Sequence, residues 1–431
     1  MAPIPDREYL QALLDVEVAL AVAESEVGVI PNSCVADIRA AARADAFDAA
    51  ALVAEAAGAG NVVIPLVRKL TEAVAARNPE SARYVHRGAT SQDIMDTAVV
   101  LRLRAVGELL AADLTKAMQT SATLARAHAE TPMPGRTWLQ HASPTTFGLK
   151  AAGWLDLLGR TRERLADSVD RVLVVQLGGA AGTLASLGND GPAVTDSLAR
   201  QLGLRVPAMP WHSHRDRIVD VAAALGIACG ALGKIGRDLT LLAQSEVAEA
   251  FEKPSSRGGS SSMPHKQNPV RAVTAITAAV RAPGLVATMV AAMPQEHERA
   301  AGGWQAEWET LADLVRITQE SAGAIADTLP DLQLDPAAMR EHLNLHGGVA
   351  MAEGLAAALM AHLSRIDAMA HVERLSRVAV RDRRPLRELA AADPDVSRWL
   401  SPAAIDHALA PESFLGSAPL YVERVLKQWG L

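Results

Sequence analysis

Apolar residues recur at steps of three and four along most of the chain, which is the spacing of one face of an α-helix. The first such stretch runs from Asp6 to Gly28, and Gly28 and Pro31 predict its end. The longest runs from Arg217 to Ala250 and, if uninterrupted, would span about 50 Å. Another apolar stretch covers Val270 to Met293. The pattern therefore predicts an all-α protein built around several long helices.

Glycines and prolines interrupt this pattern at a few places. The Gly-rich stretch from Val172 to Gly188 lacks the spacing of a phosphate loop and is interpreted as an excursion between two long helices. His346, Gly347 and Gly348 predict a break. From about Ala368, prolines recur between shorter helical stretches, which predicts a small C-terminal helical domain.

The composition favours helix and argues against several classes of protein. Hydrophobic residues make up 49% of the 431 positions, with few Phe and Tyr, and alanine is the commonest of them. A net charge of −7 without a long basic block argues against nucleic acid as a partner. No signal-type segment and no convincing membrane span is found. Cys34 and Cys229 have no metal or redox spacing, so we expect reduced thiols in a cytoplasmic protein.

The segment from Gly258 to Pro269 differs from its helical surroundings. Its glycines and serines predict a mobile backbone. Its serine hydroxyls, the Lys266 ammonium and the Asn268 amide are donors suited to holding an anionic small molecule. The alternative is a Ser/Gly-rich surface linker, but a linker does not require the order Met-Pro-x-Lys-x-Asn after its serines.

The order of these residues resembles a known motif. Gly259-Ser260-Ser261-x-Met263-Pro264-x-Lys266-x-Asn268 is similar to the signature loop of the fumarase/aspartase superfamily. The resemblance covers nearly the whole chain. It implies helical domains at residues 1–105, 106–348 and 349–431, of which the second is a long-helix bundle that forms the core of a homotetramer. It also implies active sites shared between subunits, a small di- or tricarboxylate substrate and no cofactor.

Residues His86 to Thr97 resemble the first conserved region of the superfamily. Thr90, Ser91 and Asp93 precede a helical run from Val99 to Leu114. From the residues alone, they either cap this helix or use its N-terminus to hold a carboxylate. The resemblance favours substrate contact at Thr90 and Ser91. It places His86 near the site as a substrate-binding residue, with either a catalytic role or a supporting role.

Residues Pro132 to Lys150 resemble the second conserved region. Trp138 stands where most members have histidine, and Gln140 keeps the register of the motif. His141 lies three residues after Trp138. We interpret Gln140 as a substrate-binding residue. His141 is a second acid–base candidate, with a supporting role as the alternative.

Two charged segments have a structural and a functional interpretation. His212 and His214 have no carboxylate or cysteine cluster to complete a metal site, so no metal is predicted. Arg215 and Arg217 are candidates for binding a substrate carboxylate, and the alternative is a solvated helix start with Asp216. The charged segment from residue 294 to residue 309 is expected to be a solvated face with packing tryptophans, or else to border the site.

The most informative departures from the family pattern are Trp138 and Val273. In fumarases and adenylosuccinate lyases, a histidine and a glutamate at these positions handle protons at the leaving group. An amine or hydroxide must be protonated to leave, and a positioned acid contributes about 10²–10⁴-fold. A carboxylate leaves as a stable anion and needs no such acid. The loss of both the histidine and the glutamate therefore predicts a superfamily member that moves a carboxylate. Residues 137–141 and 302–308 also resemble the branch of the superfamily that lactonises a carboxymuconate.

The resemblance assigns a role to each residue of the loop. Ser260 is the family's base and, in lactonisation, the proton donor to carbon. Lys266 stabilises the Ser260 alkoxide, and Lys266 and Asn268 bind carboxylate together with Ser261. Trp138 shapes the pocket.

Two other functions remain open from the sequence. One is an elimination of the adenylosuccinate lyase type, with the histidine chemistry moved to His141 or His86. The other is a non-catalytic helical scaffold, although a scaffold has no use for Ser260 and Lys266.

Overall fold

The computed structural model describes residues 7–253, 258–259, 262–263 and 266–431. Helices dominate these residues and the strands are short, so the predicted all-α class is confirmed. The described chain forms two compact units. The first unit comprises the chain up to Ala112 with Thr161–Gly230 and Ala278–Glu320. The second unit comprises Asp113–Arg160, Ala231–Thr277 and Ser321–Leu431. The division into three domains stays a prediction.

The N-terminal stretch forms helices of short and medium length within the first unit. They are α1 (Arg7–Val27), α2 (Ser33–Ala41), α3 (Ala49–Ala59), α4 (Val63–Ala75) and α5 (Pro79–Ala82). The first one ends where the sequence predicts, because Gly28 takes φ 90°. Asp48 begins α3 by accepting hydrogen bonds from the N–H groups of Ala50 and Ala51. Local capping chemistry therefore sets these boundaries.

The longer helices follow in the middle of the chain. They are α6 (Ser91–Ala127), α7 (Phe147–Val172), α8 (Gly191–Leu202), α9 (Asp216–Leu242), α10 (Val270–Ala292) and α11 (Gly303–Thr328). The predicted extension of α9 to Ala250 is wrong. The apolar spacing stops at Leu242, and a turn with Ala248 at φ 46° follows.

Short antiparallel strands lie between these helices. Strands β1 (Pro132–Thr137) and β2 (Gln140–Thr146) form a hairpin in which Thr137 pairs with Gln140. Trp138 and Leu139 are its two-residue turn, with φ 51° and 63°. Strands β3 (Ala250–Glu252) and β4 (Leu332–Leu334) form the other pair.

The C-terminal part of the chain consists of short helices, as the spacing of prolines predicts. They are α12 (Pro336–Leu343), α13 (Leu345–Gly348), α14 (Ala352–Leu359), α15 (Arg365–Asp382), α16 (Leu386–Ala392), α17 (Pro394–Ser397), α18 (Pro402–Ala408) and α19 (Ala418–Trp429). The break is confirmed, because His346 and Gly347 take φ 56° and 81°. Leu355, Leu375 and Leu389 belong to one buried core of this part.

Two helices, α9 and α10, are long and apolar enough to cross a membrane by length and composition alone. In α9, 67% of its most apolar 18-residue stretch is buried inside the protein. Burial in the core explains its apolarity. In α10 the buried share is 28%, so most of its apolar surface lacks cover within this chain.

Candidate active site

The N-terminus of α6 is organised by the buried carboxylate of Asp93. Its Oδ2 accepts from the N–H of Thr90 at 2.9 Å, as in a capping box. The N–H groups of Gly178 and Gly179 also donate to this carboxylate, each at 2.9 Å. His212 Nε2 lies 2.7 Å from Oδ1 and donates to it. This network holds Thr90 against the Gly-rich excursion and gives His212 a structural role.

His86 is held by an acid on another element. Its Nδ1 lies 2.7 Å from Oε1 of Glu17, a buried residue of α1. Burial by itself lowers the pKa of His86, but the attraction and hydrogen bond of the Glu17 carboxylate outweigh it, so the pKa is raised. His86 also takes φ 58°. The Glu17 contact fixes the orientation of the imidazole and favours its charged form.

Arg215 is 3% exposed and bound on both sides by carboxylates. Its guanidinium donates to Asp96 and Glu307 at distances between 2.7 and 3.1 Å. It also lies over the ring of Trp211, 5.2 Å from the centroid. The prediction that Arg215 binds a substrate carboxylate is wrong, because two protein carboxylates already occupy the guanidinium.

In the second unit, the β1–β2 hairpin carries the residues of the second conserved region. Trp138 at its tip is 96% exposed. Gln140 is exposed beside it, and Val273, in the first turn of α10, is exposed as well. The predicted roles of Trp138 and Gln140 at the substrate stay predictions.

His141 belongs to a cluster that the sequence does not reveal. Its ring centroid lies 6.4 Å from that of His342, whose Nδ1 is 2.7 Å from Glu249 Oε1. Arg136 donates to both oxygens of Glu249, at 2.9 and 2.6 Å. Burial, and then the charges of Arg136 and His342, lower the pKa of His141. A neutral imidazole at neutral pH is the form that can accept a proton, so the acid–base role of His141 stays a prediction.

The signature loop is closed at its base. Nδ2 and the backbone N–H of Asn268 both donate to the carbonyl of Gly258, at 2.9 and 2.8 Å. Lys266 is exposed, and its backbone N–H donates to the carbonyl of Met263. Ser260 and Ser261 lie outside the described residues. Asn268 therefore has a structural role in the loop, and its predicted contact with substrate, like that of Lys266, stays a prediction.

The first unit contains a cavity of about 570 Å³. Its lining includes Arg102, Arg316 and Trp304, and Arg215 is the single residue of the predicted site that takes part. The indole N–H of Trp304 donates to Asp96 at 3.2 Å. The tryptophans of the 294–309 segment therefore pack against the ion-pair network.

Among the described residues, one group of side chains has the spacing of metal ligands. It consists of His371, Asp393 and Asp395 on the C-terminal helices. Arg374 lies 2.8 Å from Asp393 and compensates its charge. An arginine in this position makes the cluster an ion-pair group, in the part of the chain that the structure describes.

Comparison with known proteins places the chain in a family. A family model described as Lyase matches residues 4–284, and one described as Adenylosuccinate lyase C-terminus matches residues 348–425. The chain is 48% identical to 3-carboxy-cis,cis-muconate cycloisomerase of Pseudomonas aeruginosa, over 99% of this chain and 93% of that protein. It is 41% identical to nitrosuccinate lyase of Streptomyces davaonensis, over 99% and 91% of the two chains.

Solved structures agree with the sequence comparison. The crystal structure of 3-carboxy-cis,cis-muconate lactonizing enzyme from Pseudomonas putida has a TM-score of 0.93 at 46% identity. The match covers 98% of this chain and 95% of that one. The chain therefore belongs to the lyase family of the fumarase/aspartase superfamily, within the group of the 3-carboxy-cis,cis-muconate cycloisomerases.

Proposed function

We propose that this protein is an enzyme that closes 3-carboxy-cis,cis-muconate into 4-carboxymuconolactone. The observation that carries the proposal is the replacement of both members of the proton-handling pair, by Trp138 and Val273. Three bacterial cycloisomerases that are 47–48% identical over 93–99% of this chain support it. An enzyme that moves a carboxylate needs no acid at the leaving group.

The reaction is an intramolecular addition. A carboxylate oxygen of the substrate forms a C–O bond to an alkene carbon, and the alkene electron pair moves to the carbon alpha to another carboxylate. The resulting enolate dianion takes a proton at that carbon. We assign the proton to the Ser260 hydroxyl, with Lys266 stabilising the alkoxide that remains.

The remaining groups hold the anionic substrate. Thr90 and Ser91 lie at the positive end of α6, a 37-residue helix, where a carboxylate is stabilised. Lys266 and Asn268 provide further donors. Glu17 raises the pKa of His86, which favours another cation four residues before Thr90.

Assembly into a homotetramer is part of the proposal. Helix α10 exposes a row of valines, of which Val280 is 71% exposed. An exposed apolar stripe along a 23-residue helix marks an interaction surface. The strongly exposed Trp138 fits the same arrangement if its indole enters the site of a neighbouring subunit. We propose that the sites combine residues of different subunits.

A cytoplasmic role in protocatechuate breakdown completes the proposal. The buried Cys34 and Cys229 are both free thiols, which fits a reducing compartment.

A panel of substrates tests the proposal. Loss of the diene absorbance of 3-carboxymuconate in the ultraviolet measures turnover, and we expect no activity on adenylosuccinate, argininosuccinate or fumarate. Ser260→Ala should abolish turnover and leave Tm nearly unchanged. A non-catalytic scaffold would have no turnover to lose. Turnover of adenylosuccinate in place of carboxymuconate would contradict the proposal.

Nitrosuccinate belongs in the same panel. The 41% identical relative is a nitrosuccinate lyase, and nitrite, like carboxylate, leaves as a stable anion. The missing proton-handling pair is therefore compatible with either reaction. Preference for nitrosuccinate over carboxymuconate in kcat/KM would make elimination of nitrite the function.

A further inference from the structure

Glu249 is a buried carboxylate that the proposed reaction does not use. Its side chain is 0% exposed. Arg136 donates to both of its oxygens, at 2.9 and 2.6 Å, in the two-point geometry of an arginine–carboxylate pair. Nδ1 of His342 lies 2.7 Å from Oε1 and donates to it, since an ionised carboxylate can only accept. These hydrogen bonds fix the carboxylate in one orientation.

The three residues come from different parts of the second unit. Arg136 lies in β1, shortly before the tip residue Trp138. His342 lies in the last turn of α12. Glu249 directly precedes β3, from which the chain runs to the signature loop. One carboxylate therefore joins the hairpin, the C-terminal part and the segment that leads to the loop.

The backbone of Glu249 is held independently of its side chain. Its N–H donates to the carbonyl of Leu242 at 3.0 Å, and its carbonyl accepts from the N–H of Asp335 at 2.9 Å. Ala248, the preceding residue, takes φ 46°, a conformation that is strained for a residue with a Cβ. The backbone thus aims the carboxylate, and a change of the side chain alone should release the hairpin but not β3.

Stability alone does not explain this arrangement. Burying an ion pair costs so much desolvation that well-packed apolar residues often serve a fold equally well. The pair adds direction, because a bidentate arginine–carboxylate contact tolerates one relative placement of its two groups. Arg136 also lies where β1 is irregular, with a register shift between Pro134 and Arg136. A fixed contact at this point orients the rest of the hairpin, which ends in Trp138.

We propose that Glu249 is a positioning residue, which holds Arg136 and so fixes the hairpin tip with Trp138 relative to the segment that leads to the signature loop. The effect on catalysis rests on the proposed function, in which Trp138 shapes the pocket. In this role Glu249 does not need to touch the substrate. Its loss leaves the pocket residues present but misplaced, and a misplacement of about 1 Å costs about 100-fold in rate.

Steady-state kinetics with 3-carboxymuconate provide the first readout. Glu249→Gln keeps the shape but loses the charge, and we expect kcat to fall about 10–100-fold while KM changes less than about threefold. Glu249→Asp keeps the charge on a shorter side chain and should recover part of kcat. Leu375→Ala is the matched control, because it truncates a buried residue of the same unit and should lower stability without changing kcat.

A double-mutant cycle with the hairpin tip separates positioning from stability. Because Glu249 acts through Trp138, Glu249→Gln should lower kcat by less than about threefold in a protein that already carries Trp138→Asn and Leu139→Gly. Two independent effects would multiply instead.

The second readout needs no substrate. The full-length protein is labelled with fluorotryptophan, and the fluorine NMR signals of Trp138 and Trp399 are assigned from their loss in Trp138→Phe and Trp399→Phe. In Glu249→Gln we expect the Trp138 signal to shift or broaden, because the tip is released. The signal of Trp399, in the C-terminal part, should stay in place.

Several results would overturn the inference. They are an unchanged Trp138 signal in folded Glu249→Gln, an unchanged kcat in a protein that turns over carboxymuconate, or losses that multiply in the cycle. If Glu249→Gln does not fold, Arg136→Lys decides, since it keeps the charge but loses the planar fork. An undisturbed Trp138 signal in that variant overturns the inference. If the natural protein does not turn over carboxymuconate, the proposed function is refuted, and the Trp138 signal alone decides the positioning role.

Discussion

At the scale of single residues, Arg215 shows how a charged side chain is kept in a core. Asp96 and Glu307 surround it, and burial raises the pKa of Glu307 in spite of the arginine. Such an ion pair contributes little net stability, but removing one member leaves buried charges uncompensated.

Replacing Arg215 therefore has a defined expected cost. Arg215→Gln should reduce the free energy of unfolding by about 3–5 kcal/mol, because Asp96 and Glu307 would then repel each other in the core. Urea denaturation followed by circular dichroism measures this. The exposed Arg377→Gln is the control, and an equally small change in both variants would contradict the buried network.

Glu24 is a buried acid of α1 with no hydrogen bond to either oxygen among the described residues. Burial raises the pKa of Glu24 to about 8, although Arg87 opposes the shift. Since the folded-state pKa lies above the ordinary value, the stability gained from holding the proton is complete at acid pH. It is lost as the pH rises through about 8.

Glu24→Gln should remove that pH dependence. We expect the Tm of the variant to match that of the natural protein near about pH 5, to exceed it progressively as the pH rises to about 8, and to stay above it by a constant amount at higher pH, because the amide cannot ionise. Thermal denaturation of both proteins across this range measures the difference. Parallel curves would show that Glu24 does not titrate in the folded state.

At the scale of elements, the β1–β2 hairpin has an unusual turn. Trp138 and Leu139 both have positive φ, as in a type I′ turn, where Asn-Gly is preferred. Bulky residues in this conformation cost about 1–3 kcal/mol each. Strain retained at an exposed tip points to a function of the side chains.

Exchanging these residues for Asn-Gly separates stability from function. The double variant Trp138→Asn, Leu139→Gly should fold at least as stably, because the turn is relaxed, while kcat/KM falls at least about tenfold through loss of the indole. Differential scanning calorimetry and the ultraviolet assay provide the two values. Unchanged kcat/KM would remove Trp138 from the site.

The signature loop depends on a glycine at its base. Gly258 takes φ 83°, and a Cβ at this position would overlap the carbonyl oxygen of Asn268. Gly258→Ala must therefore open the closure that Asn268 makes. We expect a large loss of kcat with helix content unchanged by circular dichroism.

Gly153 offers a matched control for this change. It lies in α7 with open space at its Cβ position, so Gly153→Ala should leave kcat unchanged and stabilise the helix slightly, by about 1 kcal/mol or less. An equal loss of activity in both variants would contradict the role of the loop closure.

At the scale of the whole molecule, the exposed face of α10 predicts assembly. Val280→Lys should dissociate the oligomer and abolish activity, because a charge would be buried in the proposed bundle. Ile366, 81% exposed on α15, is the control, and Ile366→Lys should leave both properties unchanged. Analytical ultracentrifugation measures the mass, and a monomeric natural protein that retains activity would refute shared sites.

The family shows why the fold alone does not decide the reaction. Relatives that cover 98% of this chain include N-acetyl-S-(2-succino)cysteine lyase at 34% identity and trans-aconitate decarboxylase 1 at 32%. One architecture therefore carries several activities, and the side chains of the site distinguish them. Trp138 and Val273 are the residues that we expect to do so here.

The sequence by itself determined the helices, the loop from Gly258 to Pro269 and the exchange of a proton-handling pair for Trp138 and Val273. Helical periodicity and motifs are local, so each can be found within one stretch of chain. The hairpin was not predicted, because a Trp-Leu turn lacks the usual Asn-Gly signal.

Only the tertiary structure decided which charged residues are paired with one another inside the protein. Arg215 meets partners 92 and 119 residues away, and Glu249 meets His342 across 93 residues. No local pattern marks such pairs, since burial and partner depend on how distant helices pack. For the same reason the sequence favoured Arg215 as the substrate-binding arginine, whereas the structure shows it paired with Asp96 and Glu307.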